Sequence, residues 1–175
     1  MGSNRVVITG LGVYSALGKS ISEFWKNAVE GKSGISEIEI DGLFPITFKN
    51  GAQIKGFICD NHFDRKDILL YDLFTQYSLL AANEAVEDAK IQVDTYVKNE
   101  VGVILGTSIG GQSTHDEAFK SMYLNRKNRV NPLSIPKLMP NAATSAVSMK
   151  YGLMGPSYTI STACASGNDA IGNAY

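Results

Sequence analysis

The sequence predicts an α/β fold, in which short buried strands alternate with helices. Two observations indicate this class. Val6-Val7-Ile8-Thr9 is a β-branched run that stops at Gly10, and Val101-Gly102-Val103-Ile104-Leu105 is a nearly continuous apolar run that breaks into a glycine-rich turn. With 175 residues, of which 44% are hydrophobic, the chain is long enough to form one domain with a buried core.

The first helix is predicted to follow the strand at 6–9. Ser20 and Glu23 have the spacing of a capping box, and Gly31 supplies a glycine at the carboxyl end. Between these signals apolar side chains recur at helical spacing: Ile21, Phe24, Trp25, Ala28 and Val29. Strand, glycine turn and helix together form the opening of an α/β unit.

The segment from 32 to 63 is expected to be irregular, apart from a small surface hairpin. In that hairpin Ile46-Thr47-Phe48 and Ala52-Gln53-Ile54 form the strands, and Asn50-Gly51 forms the turn. From about Asp64 to Ala89 the pattern predicts one helix. Its apolar stripe comprises Leu73, Phe74, Tyr77, Leu80, Ala81 and Ala85.

After residue 100 the predicted elements alternate again. The strand at 101–105 should be covered on both faces, because its apolar run is nearly continuous. A capped helix from about Ser113 to Leu124 then leads into a loop punctuated by prolines, namely Pro132, Pro136 and Pro140.

The last part of the chain is predicted to contain a helix, a strand and the start of another helix. The first helix runs from about Asn141 to Tyr151 and ends at Gly152. Ser157–Ser161 is the strand, and a helix rich in small residues runs from Ala165 to Tyr175.

Composition excludes several classes of function. The 16 basic and 17 acidic residues are interspersed, and the formal charge of −1 leaves no electrostatic footprint for nucleic acid or a membrane surface. The densest basic stretch, Arg126-Lys127-Asn128-Arg129, is interpreted as a solvated turn rather than a site for an anionic partner. Since no signal-peptide pattern and no long apolar run occur, we expect neither secretion nor membrane spanning.

The two cysteines, Cys59 and Cys164, lie far apart in the sequence. Their positions form neither a disulfide framework nor a zinc-ligand spacing. We therefore expect a cytoplasmic protein with reduced thiols.

Cys164 is the strongest candidate for a reacting group. A strand that stops at Ser161-Thr162-Ala163 and a helix that starts at Ala165 would place its thiol at a helix N-terminus, where unpaired amides and the helix dipole favour thiolate over thiol. The small neighbours leave room for a substrate carbonyl and for backbone N–H groups around an oxyanion. From position alone, a buried structural cysteine is an equally good interpretation.

Sequence motifs favour the nucleophile. Thr162-Ala163-Cys164-Ala165-Ser166-Gly167, preceded by Tyr151–Ser157, resembles the nucleophile motif of the β-ketoacyl-carrier-protein synthases, the elongating condensing enzymes of fatty-acid and polyketide assembly. Three further segments are similar to motifs of that family, in the same order and at about the same spacing, so that the resemblance covers nearly the whole chain: Val7–Gly12, Gly106–Gly111 and Pro136–Asn141.

The resemblance implies the amino-terminal half of a thiolase-like fold, with a mixed β-sheet and helices on both faces. In that family the remaining catalytic groups, two histidines and a lysine, belong to a second half that has no counterpart in residues 1–175. His62 and His115 match no family motif and are interpreted as ordinary polar residues. We therefore expect this chain alone to be inactive in condensation.

The implied mechanism is ping-pong. Cys164 takes an acyl group from the phosphopantetheine arm of an acyl carrier protein, and a malonyl-carrier protein then loses CO₂ to give a carbanion that attacks the thioester. An oxyanion hole would use the Cys164 amide together with an amide from the family's second half. The resemblance calls for no metal or organic cofactor.

Three residues are implied to bind the acyl chain. Ile109 matches a residue that lines the acyl channel, although plain core packing is the alternative. Ile135 and Leu138 belong to a loop that contributes to the partner subunit's channel, and Ser134 stands where many relatives carry a bulky residue. The strand at 157–161 resembles the one that pairs across the family's homodimer, which predicts a dimer.

Two rival interpretations of the sequence exist. Val6–Thr9 followed by Gly10-Leu11-Gly12 begins like a dinucleotide-binding fingerprint, but Ser15 stands where the third glycine belongs and no acidic residue is suitably placed. A non-catalytic, chain-length-factor-like partner of an active synthase is the stronger rival. Such partners characteristically lack the nucleophilic cysteine, whereas this chain has Cys164.

Overall fold

The computed structural model of the protein describes residues 5–39, 47–92 and 98–175. Its helices and strands follow in chain order: Ile21–Val29 (α1), Ser36–Glu37 (β1), Asn50–Gly51 (β2), Arg65–Leu70 (α2), Leu73–Ala89 (α3), Val103–Gly106 (β3), Gln112–Phe119 (α4), Ser134–Leu138 (α5), Ala142–Tyr151 (α6), Ser157–Ile160 (β4) and Ser166–Ala174 (α7). Short 3₁₀ turns occupy Cys59–Asn61 and Ala163–Ala165, and a π-helical turn, Lys120–Leu124, follows α4.

The described residues form two compact units. The smaller unit comprises Ile8–Cys59 and Leu80–Lys90, and the larger contains the remaining described residues. The helix α3 contributes to both units, because its first turns belong to the larger and its last turns to the smaller.

In the smaller unit, both end signals of α1 are confirmed. The hydroxyl of Ser20 accepts the N–H of Glu23 at 3.2 Å, and the Glu23 carboxylate accepts the N–H of Lys19 at 2.8 Å. Gly31 has a φ of +68°, and its N–H donates to the carbonyl of Ala28. Local chemistry therefore sets both ends of this helix.

The strand predicted at Val6–Thr9 is wrong. These residues form no ladder with any described part of the chain, and the side chain of Ile8 is 81% exposed. β-Branched residues favour extended backbone, but a strand is stabilised by its hydrogen-bonded neighbour. The loop that follows is instead held by carboxylates of α3: Glu84 accepts the amides of Val13 and Ile21 at 3.0 and 2.7 Å.

The predicted hairpin is also wrong where the structure describes it. Asn50-Gly51 is not a turn but the strand β2, which pairs antiparallel with β1. The Gln53 side chain continues this pairing by accepting the Glu39 amide at 2.9 Å and donating to the Glu39 carbonyl at 2.8 Å. Pairing with a distant segment has overridden the local turn preference, and Ile46 lies outside the described residues.

In the larger unit, the single helix predicted over 64–89 is interrupted. α2 ends at Leu70, Tyr71 is extended, and α3 begins after Asp72. The Asp72 carboxylate accepts the N–H of Phe74 at 3.2 Å, which satisfies one of the amides exposed where α3 begins. A helix cap inside the apolar pattern therefore divides the predicted helix in two.

The sheet that supports the candidate site consists of β3 and β4. They pair in parallel, with Val103 opposite Ser157 and Gly106 opposite Ile160. α6 and α7 contact both strands, and the buried apolar residues of this unit are Leu79, Ala143, Ala146, Val147 and Ala170. β3 begins two residues later than predicted, and its side chains are half-buried rather than fully covered.

Two expectations for α4 and α5 need correction. The helix predicted at 113–124 is present as α4 and the π-helical turn, but no local side chain caps it. The proline-rich loop contains the short helix α5, in which Pro136 lies in the first turn, where a missing N–H costs little. The predicted helix α6, its end at Gly152 with φ +64°, and strand β4 are confirmed.

Across the described ranges, no helix is both long and apolar enough to span a bilayer.

Candidate active site

Cys164 lies in the 3₁₀ turn between β4 and α7. Its side chain is exposed and forms no disulfide, whereas Cys59 is half-buried and also free. The predicted position at a strand-to-helix junction is therefore confirmed. The alternative of a cysteine buried in the core is wrong for this structure.

The turn that presents Cys164 has a strained backbone. Ala163 has a φ of +51°, in the left-handed region that residues with a Cβ rarely adopt. Such a conformation costs on the order of 1 kcal/mol for a non-glycine residue. The turn is therefore held by interactions around it rather than by the preference of its own residues.

Hydrogen bonds from α7 surround this strained residue. Ser166, the first residue of α7, accepts the Thr162 amide at 2.9 Å and donates its hydroxyl to the Ala163 carbonyl at 2.7 Å. The Thr162 hydroxyl donates to the carboxylate of Asp169 one turn further along the helix. These contacts connect the end of the strand to the start of the helix on both sides of Cys164.

The backbone N–H groups of the turn differ in their partners. Those of Ala165 and Ser166 donate to the carbonyls of Thr162 and Ala163. The N–H of Cys164 makes no backbone hydrogen bond within the described ranges. It is thus available to a substrate oxygen, as an oxyanion-hole donor must be.

The start of α7 lies against the end of β3. A Cβ added to Gly106 would lie 2.1 Å from the Ser166 carbonyl oxygen, so this close approach requires glycine. At Gly167, by contrast, an added Cβ would meet nothing within 4 Å. Gly106 therefore permits the close approach of strand and helix, whereas a side chain at position 167 would meet no described neighbour.

The glycine-rich turn after β3 contacts the loop before Cys164. The Ser161 hydroxyl donates to the Ser108 carbonyl at 3.1 Å, which places the turn carrying Ile109 beside the cysteine turn. On its other side the Gly111 amide donates to the Leu138 carbonyl at 3.0 Å. The structure thus brings the segments of Ile109, Leu138 and Cys164 into one neighbourhood.

The predicted acyl-binding residues differ in exposure. Ile109 and Ile135 are exposed, at 58% and 63%, and Leu138 is half-buried. Ser134 is buried and lines an open cavity of about 380 Å³ together with the polar side chains of Lys120, Lys127 and Lys137. Ala118 and Val130 also line this cavity, so its lining combines polar and apolar side chains.

The histidines belong to other surroundings. His62 lines a cavity of about 240 Å³ with Asp67, Tyr71 and Lys150. Burial, followed by the carboxylates of Asp67 and Asp64, raises the pKa of Tyr71 above its ordinary value. The ring of His115 stacks on that of Phe119 in α4, with 6.0 Å between centroids.

Sequence analysis missed two carboxylates near the site. Asp72 is 4% exposed and bonds Thr114 in α4, and Asp169 bonds Thr162. The sequence could have indicated Asp169, since this residue lies three positions after Ser166 and shares a helix face with it. No local signal existed for the partner of Asp72, because the two residues are 42 positions apart.

Comparisons with known proteins agree with this architecture. The family model "Beta-ketoacyl synthase, N-terminal domain" matches residues 3–175. The chain is 37% identical over 173 residues to the 3-oxoacyl-[acyl-carrier-protein] synthase 2 of Staphylococcus aureus, covering 99% of this chain and 42% of that protein. The chain therefore spans less than half of the length of this relative.

Solved structures of related fold were also found. A β-ketoacyl synthase from Burkholderia phymatum is 28% identical, with a TM-score of 0.80 over 99% of this chain and 43% of the other. A structure described as the ishigamide ketosynthase/chain length factor has a TM-score of 0.83 at 20% identity, over 95% and 42%. The predicted α/β, thiolase-like fold class is confirmed.

Proposed function

The chain belongs to the β-ketoacyl synthase family, and from this membership we propose that it carries the acyl-accepting cysteine of a 3-oxoacyl-carrier-protein synthase. One observation carries the proposal: the Cys164 thiol is exposed in the turn between β4 and α7, beside its own amide N–H, which has no backbone partner among the described residues. A nucleophile and an oxyanion donor at one residue suit acyl transfer from a thioester.

In the first proposed step, the Cys164 sulfur attacks the thioester carbonyl of an acyl group on the phosphopantetheine arm of an acyl carrier protein. The bond from the carbonyl carbon to the arm's sulfur breaks, and the arm leaves as a thiol after taking up a proton. The Cys164 N–H stabilises the tetrahedral oxyanion between these events. The first carrier protein then dissociates.

In the second step, a malonyl thioester on a carrier protein loses CO₂, and the resulting carbanion attacks the carbonyl carbon of the Cys164 thioester. A carbon–carbon bond forms, the carbon–sulfur bond to Cys164 breaks, and Cys164 leaves as a thiolate that takes up a proton to regenerate the free thiol. Two easier steps thereby replace one difficult step. Proton and enolate chemistry is assigned to groups of the family's second half, and no metal or organic cofactor enters the proposal.

We assign the acyl chain to the side of Cys164 where the turn of Ile109 lies, with Leu138 adjoining it. Ile135 is exposed, which suits a residue that serves the channel of a second subunit. β4, with Tyr158 exposed, is the proposed pairing strand of a homodimer. The proposed compartment is the cytoplasm.

The experiment is transfer of a radiolabelled acyl group from an acyl carrier protein to the purified chain, with the labelled peptide identified by mass spectrometry. The proposal expects label on the peptide that contains Cys164, no label in Cys164→Ala, and unchanged labelling in Cys59→Ala. A folded chain that takes up no acyl group would instead favour the non-catalytic, chain-length-factor-like role.

A further inference from the structure

We propose that Asp169 and Thr162 form a latch that holds the strained turn of Cys164, so that both act as positioning residues for the thiol. The inference deepens the proposed function and rests on Cys164 being its nucleophile. Neither residue needs to touch substrate for this role. The latch is defined by the hydrogen bond from the Thr162 hydroxyl to the Asp169 carboxylate.

The need for a latch follows from the backbone. Ala163 is left-handed, at φ +51°, and Thr162 before it is also outside the regular regions, at φ −131° and ψ 46°. A turn with two unfavourable residues relaxes unless surrounding contacts hold it. Since Cys164 is exposed, its own side chain contributes little of that support.

Thr162 is held at two points by one face of α7. Its backbone N–H is bound by Ser166, which is itself buried, and its hydroxyl is bound by Asp169. Ser166 and Asp169 are three residues apart, so they lie above one another on the helix. The two contacts fix both the position and the rotation of the residue that precedes the left-handed Ala163.

Loss of the Ser166 contacts and loss of the Asp169 contact would have different effects on the structure. Ser166 also donates to the Ala163 carbonyl, so its loss would disturb several bonds and the start of α7 at once. The bond from Thr162 to Asp169 is a single side-chain contact that is exposed to solvent. Its removal should therefore release the turn while leaving the rest of the unit folded.

The orientation of Cys164 is what the latch controls. The thiol and the unengaged N–H belong to the residue after Ala163, so a change in the Ala163 dihedral angles turns both away from one approaching carbonyl. Misplacement of about 1 Å in a reacting group costs on the order of 100-fold in rate. A partial release of the turn should therefore be visible in the reactivity of the thiol.

The test measures the rate at which a small, carrier-free acyl thioester, butyryl-N-acetylcysteamine, acylates Cys164 at fixed pH, with Cys59 in the same molecule as the internal reference. Thr162→Val keeps the shape of the side chain but removes the hydroxyl, and Thr162→Ser keeps the hydroxyl. We expect Thr162→Val and Asp169→Ala each to slow Cys164 roughly tenfold relative to Cys59, and Thr162→Ser to retain the wild-type rate. The double variant Thr162→Val/Asp169→Ala should be no slower than either single variant.

Three outcomes overturn the latch. They are a change of less than threefold in both single variants, a Thr162→Ser variant as slow as Thr162→Val, and loss of the thermal unfolding transition in both single variants. The last would make the two residues supports of the whole fold. The small thioester requires no carrier protein, so this test can fail while acyl transfer from a carrier protein to Cys164 succeeds, and the reverse.

Discussion

The carboxylate of Asp72 accepts two hydrogen bonds from Thr114, one from its backbone amide at 2.7 Å and one from its hydroxyl at 2.6 Å. Asp72 stands at the start of α3 and Thr114 in the first turn of α4, so one buried carboxylate serves the N-termini of two helices. This contact adjoins the glycine-rich turn, because a Cβ added to Gly111 would lie 3.2 Å from the Asp72 carboxyl carbon.

Replacing Asp72 should therefore destabilise the protein strongly. Asp72→Ala leaves the amides of Phe74 and Thr114 and the Thr114 hydroxyl without their acceptor, and we expect a loss of about 3 kcal/mol in the free energy of unfolding. Thr114→Val removes only the hydroxyl bond and should cost roughly 1 kcal/mol. Urea denaturation checks both values, and equal losses in the two variants would contradict this account.

The close approach of β3 and α7 predicts that substitution of Gly106 destabilises the protein strongly. Because the added Cβ of Gly106→Ala would lie 2.1 Å from the Ser166 carbonyl oxygen, we expect a loss of more than about 2 kcal/mol in stability. Gly172→Ala is the matched control within α7, since its Cβ would meet nothing within 4 Å. It should stabilise the helix by roughly 0.5–1 kcal/mol.

Thermal unfolding of both variants gives the comparison. If Gly106→Ala unfolds at the wild-type temperature, the contact between β3 and the start of α7 is looser than described.

The raised pKa of Tyr71 predicts that the protein loses stability at alkaline pH. Its pKa is raised in the folded protein, by burial and then by Asp67 and Asp64, so the folded state keeps the phenol proton that the unfolded chain releases above about pH 10. The contribution of the Tyr71 side chain to the free energy of unfolding is complete below that pH and is lost as the pH rises toward the folded-state pKa. Tyr71→Phe should therefore lose less stability than wild type between about pH 9 and 11.

Urea midpoints at a series of pH values provide the measurement, with Tyr123→Phe, an exposed tyrosine on the π-helical turn, as the control. Parallel pH curves for wild type and Tyr71→Phe would exclude Tyr71 as a source of the alkaline decline.

A further prediction concerns turnover. We expect the 175-residue chain alone to form no condensed product from acyl- and malonyl-carrier proteins, because the described cavity of His62, with Asp67, Tyr71 and Lys150, and the stacking of His115 on Phe119 do not include Cys164, so neither histidine is placed to supply proton and enolate chemistry. Product analysis by mass spectrometry, with Cys164→Ala as the blank, checks this. Condensed product from the wild-type chain that is absent from the blank would refute it.

Local chemistry made much of the fold predictable. Ser20, Gly31 and Gly152 act through neighbours within a few residues, and the helix ends they mark are found where predicted. The place of Cys164 was predictable for the same reason, since the strand before it and the small-residue helix after it are both visible in sequence.

The errors have a common physical origin in contacts between distant segments. Asn50-Gly51 became a strand because it pairs with Ser36–Glu37, and Val6–Thr9 lacks a partner in the described ranges. Asp72 divides a predicted helix and caps another through Thr114. The left-handed Ala163 was not predictable either, because alanine has no preference for that conformation and only the surrounding bonds select it.

The most direct test of the central claim, that Cys164 is presented for acylation, is competition between the two thiols for a cerulenin-type epoxide, followed by peptide mass mapping. In the folded chain we expect Cys164 to be labelled ahead of Cys59, and in urea we expect this preference to disappear. Labelling of Cys59 first, or equal labelling of both cysteines in the folded chain, would contradict the account.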